Sequence, residues 1–149
     1  MNLHRRTFLT ASASAAVAAF FGSNHAFATV EDVNKAIEAF AAGAAPGEGP
    51  LTLTTPEIAE NGNSVPVSVL VESPMTEDDH VQSVMILADG NPLPNVATFN
   101  FSAMSGEAKA STRMRLAKTQ NVIAVAKMSN GDVYKVSNNI KVTIGGCGG

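Results

Sequence analysis

The sequence predicts an all-β fold, an immunoglobulin-like antiparallel β-sandwich spanning residues 51–144. Apolar residues alternate with other residues in several short segments, which is typical of half-buried strands. Turn residues recur every 8–12 positions between these segments, a spacing that favours a sandwich of about seven strands. The composition, 45% hydrophobic and 15% charged, is that of a globular protein with a core. The chain is therefore predicted to bury a single core between two sheets.

The first 28 residues are predicted to be an export signal that lies outside the fold. Arg5 and Arg6 precede a run of small and apolar residues (11–21), and Ala26 and Ala28 form a small-x-small cleavage site. This order predicts export to the periplasm by the twin-arginine pathway. Removing the segment leaves eight basic against thirteen acidic side chains. A net charge of about −5 argues against nucleic acid or an anionic membrane as a partner.

Residues 29–50 are predicted to form a helix followed by a linker. Thr29 and Asp32 have the spacing of a capping box, and Gly43 is a suitable C-cap. Residues 44–50 are rich in proline and glycine, as linkers are. We expect the helix to pack on the sandwich, the alternative being a partner-binding helix, through an apolar stripe formed by Val30, Val33, Ile37 and Phe40.

The period of the apolar residues changes to two from residue 51 onward. Val65, Val67, Val69 and Val71 alternate most strictly, and Pro66 within that run suggests an edge strand or the start of a strand. Residues 57–63 end in turn residues, and Asn130-Gly131 predicts a tight hairpin. Residues 121–128 are almost continuously apolar and should form a central strand. The remaining predicted strands are 51–54, 81–88, 96–102, 108–117, 132–136 and 140–144.

The last five residues, 145–149, read Gly-Gly-Cys-Gly-Gly and hold the only cysteine of the chain. Because glycine lacks a Cβ and has little conformational preference, Gly145, Gly146, Gly148 and Gly149 predict a flexible tail. An extended tail would hold the thiol of Cys147 roughly 10 Å beyond the last strand. A single cysteine cannot form an internal disulfide. In an oxidising compartment Cys147 must therefore be free, joined to another molecule or covalently loaded.

Other uses of the thiol are less well supported by the sequence. His80 is the one histidine after the export signal, and it lies in an acidic loop without a recognisable oxyanion element nearby. Closely spaced Cys and His ligands for zinc are absent from the sequence. The alternative function is a periplasmic copper-binding or redox interaction module. It would use Cys147 with methionines, namely Met75, Met85, Met104, Met114 and Met128.

The sequence around Cys147 indicates a thiol that is not activated by its own tail. No Lys, Arg or His lies within five residues of it. A carboxylate two residues away, at Gly149, disfavours a second negative charge and hence the thiolate. Such a thiol, flanked by residues without side chains, suits a substrate carrier that is activated by partner enzymes. We therefore expect no catalytic residue, no metal ligand and no cofactor in this chain.

Several segments resemble the SoxY family, the sulfur-carrier subunits of the thiosulfate-oxidising Sox multienzyme system. The resemblance is most specific in residues 142–149, which read Val-Thr-Ile-Gly-Gly-Cys-Gly-Gly. It extends over essentially the whole chain after the export signal. The other matching segments are 91–94 (Asn-Pro-Leu-Pro), 99–101 (Phe-Asn-Phe), 112–117 (Thr-Arg-Met-Arg-Leu-Ala), 119–120 (Thr-Gln) and 125–128 (Val-Ala-Lys-Met).

The resemblance implies a covalent carrier rather than an enzyme. It implies an immunoglobulin-like sandwich that forms a heterodimer with SoxZ, a leaderless partner exported alongside. By family analogy, the cytochrome pair SoxAX would conjugate thiosulfate to Cys147, and the hydrolase SoxB would release sulfate. The dehydrogenase SoxCD, where present, would oxidise the sulfur that remains as a cysteine persulfide.

Overall fold

The computed structural model describes residues 27–146, and one helix and eight strands form within this range. The expected export signal thus lies almost entirely outside the described residues, as do Cys147, Gly148 and Gly149. A short 3₁₀ turn (Ala103–Ser105) follows the fifth strand. The elements are α1 (Val30–Ala41), β1 (Leu51–Thr54), β2 (Ile58–Asn61), β3 (Val65–Val71), β4 (Val81–Ala88), β5 (Asn95–Asn100), β6 (Ala108–Met114), β7 (Gln120–Met128) and β8 (Val133–Ile144).

The strands form two sheets that pack face to face, which confirms the predicted sandwich. One sheet has the strand order β1-β3-β6, and the other has the order β2-β8-β7-β4-β5. Strand β7 is central, as its continuous apolar sequence predicts. The core lies between the sheets because alternate residues of each strand point to the same face. Four of its buried side chains are the alternating valines of β3: Val65, Val67, Val69 and Val71.

Helix α1 packs against the outer face of the five-stranded sheet. The Thr29 Oγ1 accepts a hydrogen bond from the Asp32 N–H (3.2 Å), and an Asp32 carboxylate oxygen accepts one from the Thr29 N–H (2.9 Å). The C-cap of the helix is Ala42, one residue before the predicted Gly43, and both residues have positive φ. No helix among residues 27–146 is long and apolar enough to cross a membrane. The packed residues are Val33, Ile37 and Ala41 of the helix with Met85, Leu87, Ile123, Val125 and Val133 of the sheet.

Strand β3 is the middle strand of its sheet, so Pro66 does not mark an edge strand. Pro66 is the second residue of β3 and lies opposite Arg113 of β6. Strand β1 pairs with β3 only from Ser68 onward. Proline lacks an N–H and cannot donate a hydrogen bond to a neighbouring strand. Because β1 does not extend as far as Pro66, no hydrogen bond to β1 is lost at this position. The prediction of a strand start is confirmed, and that of an edge strand is wrong.

Strand β8 is one continuous strand, although the sequence predicts two strands separated by residues 137–139. The side chains of Asn138 and Asn139 in this gap find hydrogen-bond partners, the first on and after β1 of the opposite sheet and the second on β7. The Asn138 amide donates hydrogen bonds to the Leu53 carbonyl (2.9 Å) and to the Thr55 hydroxyl (3.1 Å). The Asn139 amide donates to the Asn121 side chain (3.0 Å).

Strand β2 arises from residues for which the sequence predicts only a segment ending in a turn. It pairs parallel to β8, with Ile58 opposite Lys141 and Asn61 opposite Ile144. The other pairings among the named strands are antiparallel. The parallel pairing brings the end of β2 beside the end of β8, where the carboxy-terminal glycines begin.

Candidate functional site at the end of strand β8

The first two glycines of the carboxy-terminal segment run between two connections of the sandwich. The Gly62 N–H, in the β2–β3 turn, donates a hydrogen bond to the Ile144 carbonyl (2.7 Å). The Leu116 N–H, in the β6–β7 connection, donates to the Gly62 carbonyl (2.8 Å), and the Gly146 N–H donates to the Leu116 carbonyl (2.9 Å). We call Gly62, Leu116 and Gly146 the backbone clasp. It joins three distant parts of the sequence through main-chain atoms alone.

The clasp leaves no room for a Cβ atom at its glycines. A Cβ on Gly62 would collide with the Leu116 carbonyl oxygen and lie 2.7 Å from the Gly146 nitrogen. One on Gly146 would lie 2.8 Å from the Gly62 carbonyl oxygen, and one on Gly145 would collide with the Ala117 carbonyl oxygen. None of the three has positive φ. Glycine is therefore required here by the close approach of main chains and not by an unusual backbone conformation.

Gly145 and Gly146 belong to the segment that the sequence predicts to be a flexible tail. Both contact the sandwich, and Gly146 is buried. Cys147, the predicted sulfur-attachment residue, lies with Gly148 and Gly149 outside the described residues. Consecutive Cα atoms are about 3.8 Å apart, so Cys147 begins one residue beyond the clasp. The reach of its thiol in this arrangement is counted from Gly146 and not from the last strand.

Asn91, in the β4–β5 turn, holds the β6–β7 connection from the inside of the protein. The side chain is 3% exposed. Its amide nitrogen donates to the Arg115 carbonyl (2.8 Å), and its amide oxygen accepts from the Ala117 N–H (3.0 Å). These two bonds fix the residues on either side of Leu116. Asn91 therefore positions the carbonyl that binds Gly146.

Gln120, the first residue of β7, completes this buried network. Its amide nitrogen donates to the Asn91 amide oxygen (2.9 Å) and to the Lys118 carbonyl (3.1 Å). Its amide oxygen accepts from the Gly90 N–H (2.7 Å). Among residues 27–146, Asn91 and Gln120 are the two buried polar side chains, and no buried side-chain polar atom lacks a partner.

The exposed rim around the clasp includes basic side chains and two large apolar ones, Phe27 and Ile144. Arg115 and Lys118 belong to the connection that holds the clasp, although both are distant from Cys147 in the sequence. The Lys118 ammonium lies 4.5 Å from the centre of the Phe27 ring, a cation–π contact. Ile144 is 65% exposed. A protein that approaches the end of β8 would meet these side chains.

His80 lies at the opposite end of the sandwich from the clasp. Its main chain bonds to Ser129, just beyond the end of β7, and its Nδ1 lies 3.0 Å from the Thr76 carbonyl. The clasp lies beyond the start of β7. This nine-residue strand spans roughly 27 Å at about 3.4 Å per residue. The fold therefore separates His80 from Gly146, the residue that precedes Cys147.

The methionines of the alternative copper site do not form a surface cluster. Met104 is exposed, in the 3₁₀ turn, whereas the other four are buried in the two hydrophobic clusters. Methionine in such positions fills a core. Within the described part of the chain, no group of three or more His, Cys, Asp or Glu side chains is arranged to hold a metal ion. The four buried side chains are Met75, Met85, Met114 and Met128.

In the sequence, Gly62 lies at the end of a segment of turn residues, and Asn91 and Gln120 are singled out only as members of segments that resemble the SoxY family. Their partners are distant in the chain, so local patterns give no sign of the clasp. One available signal is Gln120 itself, a polar residue at the start of an apolar strand, because a buried amide must find hydrogen-bond partners. The matching segments 91–94, 112–117 and 119–120 also meet at this end of the sandwich.

Comparison with known proteins gives the same family as the sequence motifs. The family model described as sulfur oxidation protein SoxY matches residues 37–147. Among solved structures, the sulfur carrier protein SoxY from Chlorobium limicola f thiosulfatophilum is 34% identical, with a TM-score of 0.63. The match covers 78% of this chain and 100% of that one. No protein in the curated set matches.

More distant structures share the sandwich. The superoxide reductase (neelaredoxin) of Ignicoccus hospitalis is 16% identical, with a TM-score of 0.56, covering 62% of this chain and 79% of its own. The superoxide reductase of Nanoarchaeum equitans is 15% identical, with a TM-score of 0.53, covering 64% of this chain and 96% of its own. At these identities the likeness concerns the fold alone. The match to the family model over most of the chain, together with the 34% identity to a solved member, shows that this chain belongs to the SoxY family.

Proposed function

We propose that this chain is a covalent carrier that holds thiosulfate-derived sulfur on Cys147 and presents it to successive Sox enzymes. The observation that carries the proposal is the SoxY family match, which extends to Cys147, the only cysteine of the chain. The solved relative from Chlorobium limicola is described as a sulfur carrier protein. The absence of Lys, Arg and His from the sequence near Cys147 supports a thiol that waits for activation by a partner.

The proposed loading step is an oxidation of two thiol-level sulfur atoms. The Cys147 thiol loses its proton, and a bond forms between its sulfur and the outer sulfur of thiosulfate. Two electrons leave for the haem irons of the c-type cytochrome pair SoxAX. The product is an S-linked thiosulfonate anion, so the covalent adduct takes the place of a cofactor.

The proposed second step is hydrolysis by SoxB. The oxygen of water attacks the terminal sulfone sulfur, and the bond between that sulfur and its neighbour breaks. Sulfate and two protons leave, and the electron pair of the broken bond remains on a persulfide at Cys147. SoxCD, where present, would oxidise this sulfur further. Each step is performed by another protein, so this chain acts as a carrier subunit and not as an enzyme.

We also propose that the carrier works in the periplasm as a heterodimer with a SoxZ-like subunit. The twin-arginine sequence at Arg5 and Arg6 supports the compartment, and family membership supports the partner. Cell fractionation of the wild type and of the Arg5→Lys/Arg6→Lys double variant tests the export. We expect the variant to remain in the cytoplasm, and equal periplasmic amounts of the two would contradict the pathway.

Intact-protein mass spectrometry tests the carrier function. The protein is isolated from cells oxidising thiosulfate and measured before and after reductant, with Cys147→Ser as the control. We expect an added mass that matches sulfur or thiosulfate, is removed by reductant and is absent from the control. A wild-type protein that carries no adduct under these conditions would contradict the proposal.

A further inference from the structure

We infer that the backbone clasp positions the carrier cysteine by fixing the point at which the chain leaves the sandwich. Gly62, Asn91 and Gln120 are then positioning residues for the reaction at Cys147, although all three are far from it in sequence. The inference rests on the proposed carrier function and adds to it a defined anchor for the carrier segment.

Main-chain hydrogen bonds hold the start of the carrier segment to the sandwich. Three N–H···O bonds of 2.7–2.9 Å link Ile144 to Gly62, Gly62 to Leu116, and Leu116 to Gly146. A segment that served only as a loose tether would leave these groups to water. Here they are bonded to the protein on both sides of Gly145. The carrier segment, residues 145–149, is therefore held to the sandwich as far as Gly146.

Gly62 is a glycine that contacts the carrier segment without belonging to it. Flexibility of the segment explains glycine at positions 145 and 146, and it predicts nothing for position 62. Yet a Cβ at Gly62 would meet both the Leu116 oxygen and the Gly146 nitrogen, and its φ is not positive. A glycine at this position is explained by the close approach of two main chains, the β6–β7 connection at Leu116 and the carrier segment at Gly146.

The buried amides of Asn91 and Gln120 support the clasp from inside the protein. Asn91 and Gln120 bond to the carbonyl or N–H groups of residues 115, 117 and 118, on both sides of Leu116. They are the two buried polar side chains in the described range. Their bonds hold the Leu116 carbonyl towards Gly146 from inside the protein. The clasp is thus supported by side chains and does not depend on the main chain alone.

The functional consequence concerns reach. With the clasp closed, the Cα atom of Cys147 lies about 3.8 Å from that of Gly146, whereas release back to Ile144 would extend the reach to roughly 10 Å. An enzyme can then act on the closed form only by docking against this end of the sandwich. The clasp also orders two residues before docking, which removes part of the entropy cost of binding.

Amide hydrogen exchange on the chain without its export signal tests whether the clasp forms. We expect the Gly146 N–H to be protected in the wild type and to lose protection in Gly62→Ala, while core amides such as Val125 remain protected. Gly47→Ala is the matched control, because a Cβ there meets nothing within 4 Å and φ is ordinary. An unprotected Gly146 in the wild type, or full protection in Gly62→Ala, would overturn the inference.

Loading rates test whether the clasp matters for function. The rate of thiosulfate conjugation by the cytochrome pair is compared with the rate of alkylation of Cys147 by iodoacetamide. For Gly62→Ala and Gly145→Ala we expect conjugation to fall on the order of tenfold, with alkylation changed by less than about twofold. Gly145→Ala keeps the test decisive if Gly62→Ala does not fold. Gly47→Ala should resemble the wild type in both reactions.

The two proposals fail in different ways. If the wild type accepts no thiosulfate-derived sulfur, the carrier function is wrong, and the exchange of the Gly146 amide still decides the clasp. If the wild type is loaded, and Gly62→Ala and Gly145→Ala are loaded as fast as the wild type, the carrier function stands and the positioning role is wrong. An equal fall in conjugation and alkylation would also overturn it, because positioning affects the enzyme reaction alone.

Discussion

At the scale of single residues, the buried amide of Asn91 links the β4–β5 turn to the β6–β7 connection at one end of the sandwich. It bonds to the main chain at Arg115 and Ala117 and to the Gln120 side chain. A buried polar group that loses its partner bears the full cost of its removal from water. Truncation of Asn91 would leave one buried and two partly buried groups without this partner, whereas truncation of an exposed asparagine leaves none.

We predict that Asn91→Ala lowers the free energy of unfolding by about 2–3 kcal/mol, the cost of leaving buried groups unpaired. Urea unfolding followed by circular dichroism measures the change. Asn100→Ala, on the edge strand β5 where Asn100 is exposed, is the control and should change stability by less than about 0.5 kcal/mol. Equal effects of the two substitutions would contradict the network as described.

A second prediction about stability concerns Thr29, whose side chain caps helix α1. Thr29→Ala removes the acceptor of the Asp32 N–H bond and should lower the free energy of unfolding by about 1 kcal/mol. Thr29→Ser keeps the hydroxyl, and we expect it to stay within a few tenths of the wild type. Urea unfolding of the three proteins is the measurement. An alanine variant as stable as the serine variant would show that the cap contributes nothing.

The same cap makes the contribution of Asp32 to the free energy of unfolding depend on pH. Hydrogen bonds from the Thr29 main chain and then its side chain, with a smaller effect of Lys35, hold the pKa of Asp32 below its ordinary value. A lowered pKa in the folded state means stabilisation that is complete above about pH 4 and is lost as pH falls through the folded value. The stability difference between the wild type and Asp32→Ala should therefore shrink on acidification. Unfolding measured between neutral pH and pH 3 tests this, and a growing difference would contradict it.

At the scale of elements, helix α1 depends on one apolar face. Ile37 is buried against the outer face of the five-stranded sheet, whereas Val30 is 66% exposed on the same helix. We predict that Ile37→Ala lowers the free energy of unfolding by about 2–4 kcal/mol and that Val30→Ala changes it by less than about 1 kcal/mol. Urea unfolding measures both. Similar values for the two would mean that the helix is not held by this face.

The elements that the sequence predicts well are those whose pattern is local. The alternating valines of β3, the apolar run of β7 and the capped stripe of α1 each contain their own period. The structure confirms all three except for Val30, which the sequence predicts to belong to the packed stripe and which is exposed. The continuity of β8 has no local signal. Asn138 would end a strand by propensity, but its amide bonds to Leu53, 85 residues earlier. The parallel pairing of β2 likewise depends on β8 and not on its own four residues.

At the scale of the whole molecule, the two ends of the sandwich differ in character. One end carries the acidic loop with His80, and the other carries the clasp, the buried amides and the cations Arg115 and Lys118. A single cysteine and its glycines can be recognised in the sequence as a carrier segment. The clasp cannot, because Gly62 and Leu116 become neighbours of Gly146 only when β2, β6 and β8 are assembled.

This arrangement leads to a separation of stability from carrier chemistry. The two hydrophobic clusters are formed by residues between positions 33 and 142, all before the carrier segment. Cys147→Ser replaces one sulfur atom with oxygen and leaves the main chain of the clasp unchanged. We therefore predict that it abolishes sulfur loading while the free energy of unfolding changes by less than about 0.5 kcal/mol.

Mass spectrometry of the loaded protein, urea unfolding and co-purification with the proposed SoxZ-like subunit measure the three properties on the same Cys147→Ser variant. Co-purification should be retained, because a surface that binds a permanent partner is expected on the sandwich and not on the residue that is handed from enzyme to enzyme. Loss of the partner together with loading would mean that Cys147 lies in the subunit interface. In that case the segment beyond Gly146 would be part of the assembly, and the clasp would act on the partner before it acts on any enzyme.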